Sequence, residues 1–392
     1  MNKKSVRDLD LQGKRVLVRV DFNVPVKDGR VTDDTRIKRA LPTIRYLLSE
    51  GGRPILISHL GRPKGEPDPH YAMDPVAQRL EELLGEPVLK LDAAVGPEVE
   101  EALDSWDGSG VVLLENSRFY PGETKNDPGF AGQLAALADL YVDDAFGAAH
   151  RAHATTVGLA ERLPAAAGLL LEEEVDYLDG VLEDPERPFV AILGGAKVSD
   201  KLGVIESLLE VANTLLIGGA MCFTFFKAQG YEVGRSLVED DYLEDARRLM
   251  DEAGEKFVLP VDVVAADRME EGAGSETVGV DGIPPDKMGL DIGPRTVELF
   301  EEHISGARTI FWNGPMGVFE VETFAKATEG VARAVAESGA TSVIGGGDSV
   351  AAVTKLGLED RMSYISTGGG ASLEYVEGKE LPGVAALPEK GA

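Results

Sequence analysis

Ten times along this chain a short run of apolar and β-branched residues ends in glycine or polar residues and then gives way to a helical pattern. The runs are RVLVRVDFN (15–23), PILISHLGR (54–62), VVLLENSRF (111–119), LYVDDAFG (140–147), FVAILGGAK (189–197), TLLIGGAM (214–221), KFVLPVDVV (256–264), TIFWNGPMG (309–317), TSVIGGGDS (341–349) and MSYISTGGG (362–370). A strand with no polar alternation has to be buried on both faces, and such strands alternating with helices make parallel sheet in an α/β fold. In open sheets of this kind ligands bind beyond the carboxyl ends of the strands. The chemically unusual residues of this chain sit at those ends.

The helices carry their own punctuation. Asp74-Pro75 reads as an N-cap followed by proline at the first helical position, with Gly85 closing that helix after Leu80, Leu83 and Leu84. A second helix is expected after residue 201, with Leu202, Ile205, Leu208, Leu209 and Ala212 on one face. Ten strands exceed a typical single sheet. The break is expected at LLLEEEVDYLDGVLEDPERP (169–188), an acidic amphipathic helix ending near Pro185 and Pro188. A domain of residues 1–168, a connecting helix and hinge at 169–188, and a second domain of residues 189–376 follow.

Charge sorts the two halves. The 392 residues carry a net charge of −29, yet residues 1–62 hold 14 Lys and Arg against 7 Asp and Glu. The overall sign disfavours nucleic acid and anionic membranes as partners, while the basic opening segment points to an anionic ligand. A single cysteine, Cys222, excludes an intramolecular disulfide and fits a reducing cytosol. The opening MNKKSVRDLD lacks the apolar stretch of a signal peptide, and no apolar run approaches the ~20 residues of a membrane helix. A cytoplasmic protein is expected.

Strand ends in the first half offer Asp21 and Asn23, His59 and Arg62, and Arg118, while the loop after LYVDDAFG adds His150, Arg151 and His153. Arg36 lies near the start of the first helix. Guanidinium forks match carboxylate and phosphate oxygens. Together these residues make a cradle for a small, strongly anionic molecule bearing hydroxyls. A metal site at His150 and His153 lacks thiolate or carboxylate partners, and Asp143-Asp144 read better as capping residues than as metal ligands.

The second half has glycine-rich strand ends at Gly194-Gly195, Gly218-Gly219, Gly314, Gly345-Gly346-Gly347 and Gly368-Gly369-Gly370. Backbone N–H groups there, with helix N-termini, favour phosphate, and their convergence indicates a nucleotide. GGAKVSDK is not a Walker A loop, because Lys197 follows Gly195 after one residue and precedes Val198. Lys197 and Lys201 supply charge to the phosphates and would share a face if a helix began there. Asp348, beside the triple glycine, is either an N-cap or a Mg²⁺ ligand, and Ser349 is an alternative cap. Glu320 suits a ribose hydroxyl.

The motifs DFNVP (21–25), SHLGRP (58–63), ENSRF (115–119), AHRAHAT (149–155), GGAKVSDK (194–201), WNGPMGVFE (312–320), GGGDS (345–349) and STGGGASLEYVEGK (366–379) together resemble the phosphoglycerate kinases, in unbroken order from about residue 5. The resemblance implies two Rossmann-like three-layer αβα domains with mainly parallel sheets, joined by a helix. It also implies a C-terminal tail (377–392) that returns to the first domain. It implies phosphoryl transfer between 1,3-bisphosphoglycerate and ADP, giving 3-phosphoglycerate and ATP, with Mg²⁺, in a chain that is typically monomeric. Asp21, Asn23, Arg36, His59, Arg62, Arg118 and Arg151 match the family's phosphoglycerate-binding positions. Gly195, Ala196, Lys197, Lys201, Gly219, Gly293, Asn313, Pro315, Val318, Glu320, Gly346, Gly347, Asp348 and Ser349 match its nucleotide positions, Asp348 being the Mg²⁺-linked one. Arg36, Lys197 and the backbone near Gly346 and Gly347 are expected around the transferring group, in a cleft closed by hinge motion. Three positions depart from the commoner pattern: Ser117 replaces an apolar residue, Ala220 a third glycine and Ser349 a threonine. Two other classes predict different features. A nicotinamide oxidoreductase needs G-x-G-x-x-G in the first βα turn, where this chain has RVDFNVP. A solute-binding protein would usually be exported.

Overall fold

The computed structural model describes residues 1–391. The chain divides into two compact units, Met1–Asp176 together with the segment from Glu380 onward, and Tyr177–Lys379. The division falls inside the helix Leu169–Leu182.

In the first unit the strands are β1 (Arg15–Arg19), a small hairpin of β2 (Val26–Lys27) and β3 (Arg30–Val31), then β4 (Arg53–Ile57), β5 (Val88–Lys90), β6 (Val111–Leu113), β7 (Leu140–Asp143) and β8 (Ala165–Ala167). Six of them form one sheet in the order β5-β6-β4-β1-β7-β8, every pairing parallel. Its central strands are apolar throughout because both faces are covered. Val16, Leu17 and Val18 of β1 are fully buried, as are Ile55, Leu56 and Ile57 of β4. The helix Thr35–Ser49 places Ile37, Ala40, Leu41, Ile44 and Leu47 on its buried face, against the same core. The chain builds outward from β1 through β4 and later returns to β7 on the other flank of β1. That reversal makes the carboxyl end of β1 a topological switch point, where an open α/β sheet has its crevice.

The second unit repeats the plan. Its strands are β9 (Phe189–Leu193), β10 (Thr214–Ile217), β11 (Phe257–Val258), β12 (Asp262–Ala266), β13 (Ser275–Gly279), β14 (Met288–Ile292), β15 (Thr309–Asn313), β16 (Thr341–Gly345) and β17 (Tyr364–Ile365). The main sheet runs β11-β10-β9-β15-β16-β17, all parallel, over a core that includes Val190, Ile192, Phe300, Ile310, Trp312 and Ile344. Here the switch lies between β9 and β15, whose last residues Leu193 and Asn313 are register partners. The expected two-domain, mainly parallel α/β architecture is what the chain adopts.

Several local expectations are corrected. The run 256–264 is not one strand. It splits into β11 at the edge of the parallel sheet and β12, the centre of a separate antiparallel sheet ordered β13-β12-β14. Pro260, which has no N–H to give a ladder, lies between the two. The first helix residue after Met73 is Asp74 itself, with Met73 at the cap position and no capping side chain. The Asp74 carboxylate instead meets Lys90 Nζ at 3.1 Å. Gly85 does close that helix, with a left-handed φ of 76°. The acidic helix ends at Leu182, short of Pro185. Strands β2, β3 and β14 lie outside the ten runs, and so do β5, β8 and β13. Of these last three, the first is a three-residue edge strand, the second is three alanines, and the third is exposed over most of its length.

Candidate functional site

At the switch point of the first unit, the strand ends gather positive charge. Arg36, in the first turn of the helix Thr35–Ser49, donates from Nη1 to Asp21 Oδ2 at 3.0 Å and to the Asn23 carbonyl at 3.1 Å. Asn23 Oδ1 accepts from the Gly61 N–H at 2.8 Å, which ties the end of β1 to the loop after β4. From the other side, Arg118 Nη1 donates to the Gly61 carbonyl at 2.8 Å. His59 is buried with Arg19 Nη2 2.9 Å from its Nδ1. Arg62 and Arg151 are exposed at the rim, and Arg151 Nε approaches His150 Nε2 at 3.0 Å.

These cations are not neutralised by an equal number of carboxylates. Burial, together with the charges of Arg19, Arg118, Arg36 and His153, holds the His59 ring well below the usual histidine range. The same causes, burial first and then Arg19, Arg118 and Arg151, hold His153 down at about 4. Burial, Arg19, Arg151 and Arg62 also lower Arg118. Positive groups that depress one another's proton affinity mark an excess of charge that an anion would relieve. The Arg118 Nε–H points the same way, being buried without a protein acceptor.

Behind this cluster lies a layer that the motifs did not single out. Arg19 ends β1 and is only 1% exposed. Its Nε donates to Thr155 Oγ1 at 2.8 Å and its Nη1 to the Val20 carbonyl. Thr155 Oγ1 donates in turn to Glu123 Oε1 at 2.5 Å, and the Thr155 N–H reaches Glu123 Oε2 at 3.1 Å. Glu123 is fully buried. An arginine inside an otherwise apolar strand run was the available signal for this layer.

Asp143 and Asp144 take a strand-end and a capping role, respectively. Asp143 Oδ1 accepts from the Ala145 N–H at 3.0 Å. Asp144 Oδ1 accepts from the Leu170 N–H at 2.9 Å and the Leu171 N–H at 3.4 Å, at the head of the helix Leu169–Leu182.

In the second unit two adjoining cavities meet at the β9/β15 switch point. One, of about 410 Å³, carries the charged and polar side chains of Lys197, Lys201, Asn313, Asp348 and Ser349 beside the backbone of Gly346 and Gly347. The other, of about 440 Å³, is mostly apolar and is lined by Phe223, Leu237, Met269, Met288, Leu290 and Val318 among others, with Gly219 and Glu320. Gly195, Ala196, Pro315 and Asp348 belong to both. A polar chamber for phosphates beside an apolar slot for a flat base is the division of labour a nucleotide requires. Of the residues expected there, Gly293 alone lines neither cavity. It heads the helix Pro294–Ser305, and a Cβ on it would lie 2.2 Å from the Asp262 carboxyl carbon. The apolar side chains Phe223, Leu237, Met269, Met288 and Leu290 went unnoticed in the sequence, because a base slot uses the same residue types as a core.

The glycine-rich ends do two different jobs. Gly219, at φ 68°, is wedged so that a Cβ would stand 2.4 Å from both the N and the O of Gly195. Its N–H and that of Gly195 are spent on the carbonyls of Met316 and Pro315. Such glycines bring strand-end backbones together within the cavity wall, with these N–H groups already paired. Gly347, by contrast, opens the helix Gly347–Lys355 with empty space at its Cβ position. The first-turn N–H groups of that helix have no intrahelical partner and carry its positive dipole end.

Neither Asp348 nor Ser349 caps this helix, whose N-cap is Gly346. Ser349 Oγ instead accepts from the Gly314 N–H at 2.6 Å, and Asp348 stays exposed in the wall common to both cavities. The helix after GGAKVSDK starts at Leu202, so Lys197 and Lys201 lie in the preceding loop and not on one helical face. Lys197 is exposed and Lys201 is buried. The Lys201 ammonium donates to Asn313 Oδ1. Burial brings its pKa down to about 8, against the opposing pull of Asp200, Asp348 and Glu377. The Asn313 Nδ2 group is buried with no acceptor. An orphan donor beside a buried ammonium fits an anionic ligand. Among the described residues no group of three or more His, Cys, Asp or Glu side chains could hold a metal by itself. A lone carboxylate at a phosphate chamber nevertheless suits Mg²⁺, which takes one or two carboxylates plus substrate phosphates.

Comparison with known proteins agrees with this geometry. The family model described as phosphoglycerate kinase matches residues 6–379. A phosphoglycerate kinase of Rubrobacter xylanophilus is 78% identical over 390 residues, covering 100% of this chain and 99% of that protein. One from Thermosipho africanus is 57% identical over 397 residues, with 100% and 99% covered. Among solved structures, phosphoglycerate kinase from Coxiella burnetii superimposes with a TM-score of 0.88 at 42% identity, with 98% of each chain covered. That of Pyrococcus horikoshii gives 0.86 at 36%, again with 98% of each chain covered. No helix among the described residues is long and apolar enough to cross a membrane.

Proposed function

Because this chain belongs to the phosphoglycerate kinase family, and is therefore a kinase, we propose that it transfers a phosphoryl group reversibly between 1,3-bisphosphoglycerate and ADP, giving 3-phosphoglycerate and ATP, as a cytoplasmic glycolytic enzyme. The observation that carries this reading is the pair of anion-seeking sites at the switch points of the two sheets. One is an arginine cluster in excess of its carboxylates, and the other is a polar chamber joined to an apolar slot.

In this reading Asp21, Asn23, Arg36, His59, Arg62, Arg118 and Arg151 bind the phosphoglycerate. The apolar slot takes the adenine, Glu320 the ribose, and Lys201 with Asn313 the inner phosphates. The acceptor is a carboxylate of low basicity, so no general base is required. What the reaction needs is alignment of donor and acceptor oxygens and neutralisation of the equatorial charge. Arg36, Lys197 and the N–H groups of the helix beginning at Gly347 do this. Asp348 is the residue that would hold Mg²⁺, which when bound supplies further neutralisation of the phosphate oxygens. Transfer requires the two substrates to meet with water excluded, and hinge motion about the helix Leu169–Leu182 is the proposed means.

The test is a coupled assay with ATP and 3-phosphoglycerate. Turnover dependent on both substrates supports the reading, and its absence in folded protein would reject it.

A further inference from the structure

The buried layer behind the arginine cluster has a role of its own. We propose that Arg19, tethered by Thr155 and Glu123, is a positioning residue that holds His59 in a single tautomer, with its Nε2–H presented to the anionic substrate. This rests on assigning the first-unit cluster to phosphoglycerate.

A guanidinium can only donate hydrogen bonds. All five of its N–H groups donate and none of its nitrogens accepts. Arg19 Nη2 lies 2.9 Å from His59 Nδ1, so that ring nitrogen has to be the acceptor. The ring proton then sits on Nε2, and the ring is neutral. The charges that bear most strongly on His59 push in the same direction. Arg19, Arg118, Arg36 and His153 are all cationic or potentially so, and none favours a second ring proton. His59 is buried, yet among the described residues its Nε2 meets no acceptor and is not sealed from solvent. It is therefore a donor left for a ligand.

Arg19 can act this way because it cannot turn. Its Nε is held by Thr155 Oγ1 and its Nη1 by the Val20 carbonyl, which leaves Nη2 aimed at His59. Thr155 Oγ1 accepts from Arg19 and donates its own proton to Glu123, 2.5 Å away. The direction of every bond from Glu123 to His59 is thereby set. Functionally, the cluster gains one more donor to the substrate without another full charge to repel its arginines.

The test uses the full chain labelled with ¹⁵N-histidine, which has five histidines, and His59→Asn to assign the signal. In the wild type His59 should show an unprotonated Nδ1 and a protonated Nε2 that persist unchanged across about pH 5 to 8, where ordinary histidine titrates. Thr155→Val should mix the tautomers, and Thr155→Ser should restore the single one. In steady-state kinetics Thr155→Val should raise KM for 3-phosphoglycerate by at least ~10-fold, as for a lost hydrogen bond to a charged group, with KM for ATP unchanged. Arg19→Met should do the same more strongly. If that variant fails to fold, the wild-type titration and the two threonine variants decide. A wild-type His59 protonated on Nδ1, or titrating near 6.5, overturns the proposal. So does a Thr155→Val protein with an unchanged spectrum. The spectrum does not depend on turnover. A negative spectrum in an active kinase rejects only this proposal, whereas an inactive wild type rejects the functional reading.

Discussion

Lys201 and Lys197 illustrate how much two residues of one type can differ within a single loop. Lys201 is buried, donates to Asn313, and has its pKa brought down to about 8 by that burial. Below that pH it is an ammonium ready for phosphate, and above it the charge is lost. ADP affinity measured by calorimetry should therefore fall as pH rises through about 8, the value Lys201 reaches. Lys201→Arg should abolish the fall, because a guanidinium does not titrate there. A flat wild-type profile would remove Lys201 from the phosphate site. The same depression means that the unfolded chain holds the proton longer, so without ligand Lys201 makes stability rise with pH above about 8. Lys197 is exposed, while Arg36 is half-buried and held by Asp21 and the Asn23 carbonyl. Removing one preorganised donor costs ~10²–10³ in rate, so Arg36→Ala and Lys197→Ala should each lower kcat by that order. Near-normal turnover in either variant would cancel its assigned role.

Among the elements, the strand β7 and the helix Leu169–Leu182 are joined by a bond whose strength depends on pH. Asp144 caps that helix from the end of the strand through the Leu170 and Leu171 N–H groups. Burial pushes its carboxyl up to about 8, against the hydrogen bonds of Thr43 and those two N–H groups. Asp143 is likewise pushed up to about 7 by its burial. A carboxyl that keeps its proton in the fold but loses it near ~4 in the unfolded chain stabilises most below ~4. That contribution is lost as pH rises through about 8, the folded value of Asp144. Asp144→Asn keeps a capping oxygen and removes the titration. Urea unfolding across that range should show a smaller decline with pH for Asp144→Asn than for the wild type. Equal slopes would mean that Asp144 is ionised in the fold. The acidic pair itself was legible as capping residues. Where each element ended was less so, since the split of 256–264 depends on one proline and on which sheet each half can join.

For the whole molecule, the same α/β plan occurs twice, each time with its site at the switch point of a parallel sheet. Solution scattering tests the proposed hinge motion. Compaction is expected only when nucleotide and 3-phosphoglycerate are both bound, and an unchanged profile would count against closure. The net charge of −29 contrasts with a basic opening segment, and in the proposed reading that local field, which salt screens, draws 3-phosphoglycerate to the first unit. The KM for 3-phosphoglycerate should therefore rise with ionic strength.

Sequence alone determined the fold class and pointed to the strand ends that line the two candidate cavities. Burial on both faces forces apolar runs, strand ends near a ligand require glycine or polar residues, and both are local properties. It also marked part of the lining of both cavities, but not the apolar wall of the second, and it included Gly293, which lines neither. Only the tertiary structure decided what surrounds His59. Arg19 meets it from 40 positions away and Thr155 from 136 positions beyond Arg19. No periodicity relates them. They come together because β1 lies between β4 and β7, and that strand order is a consequence of the whole sheet.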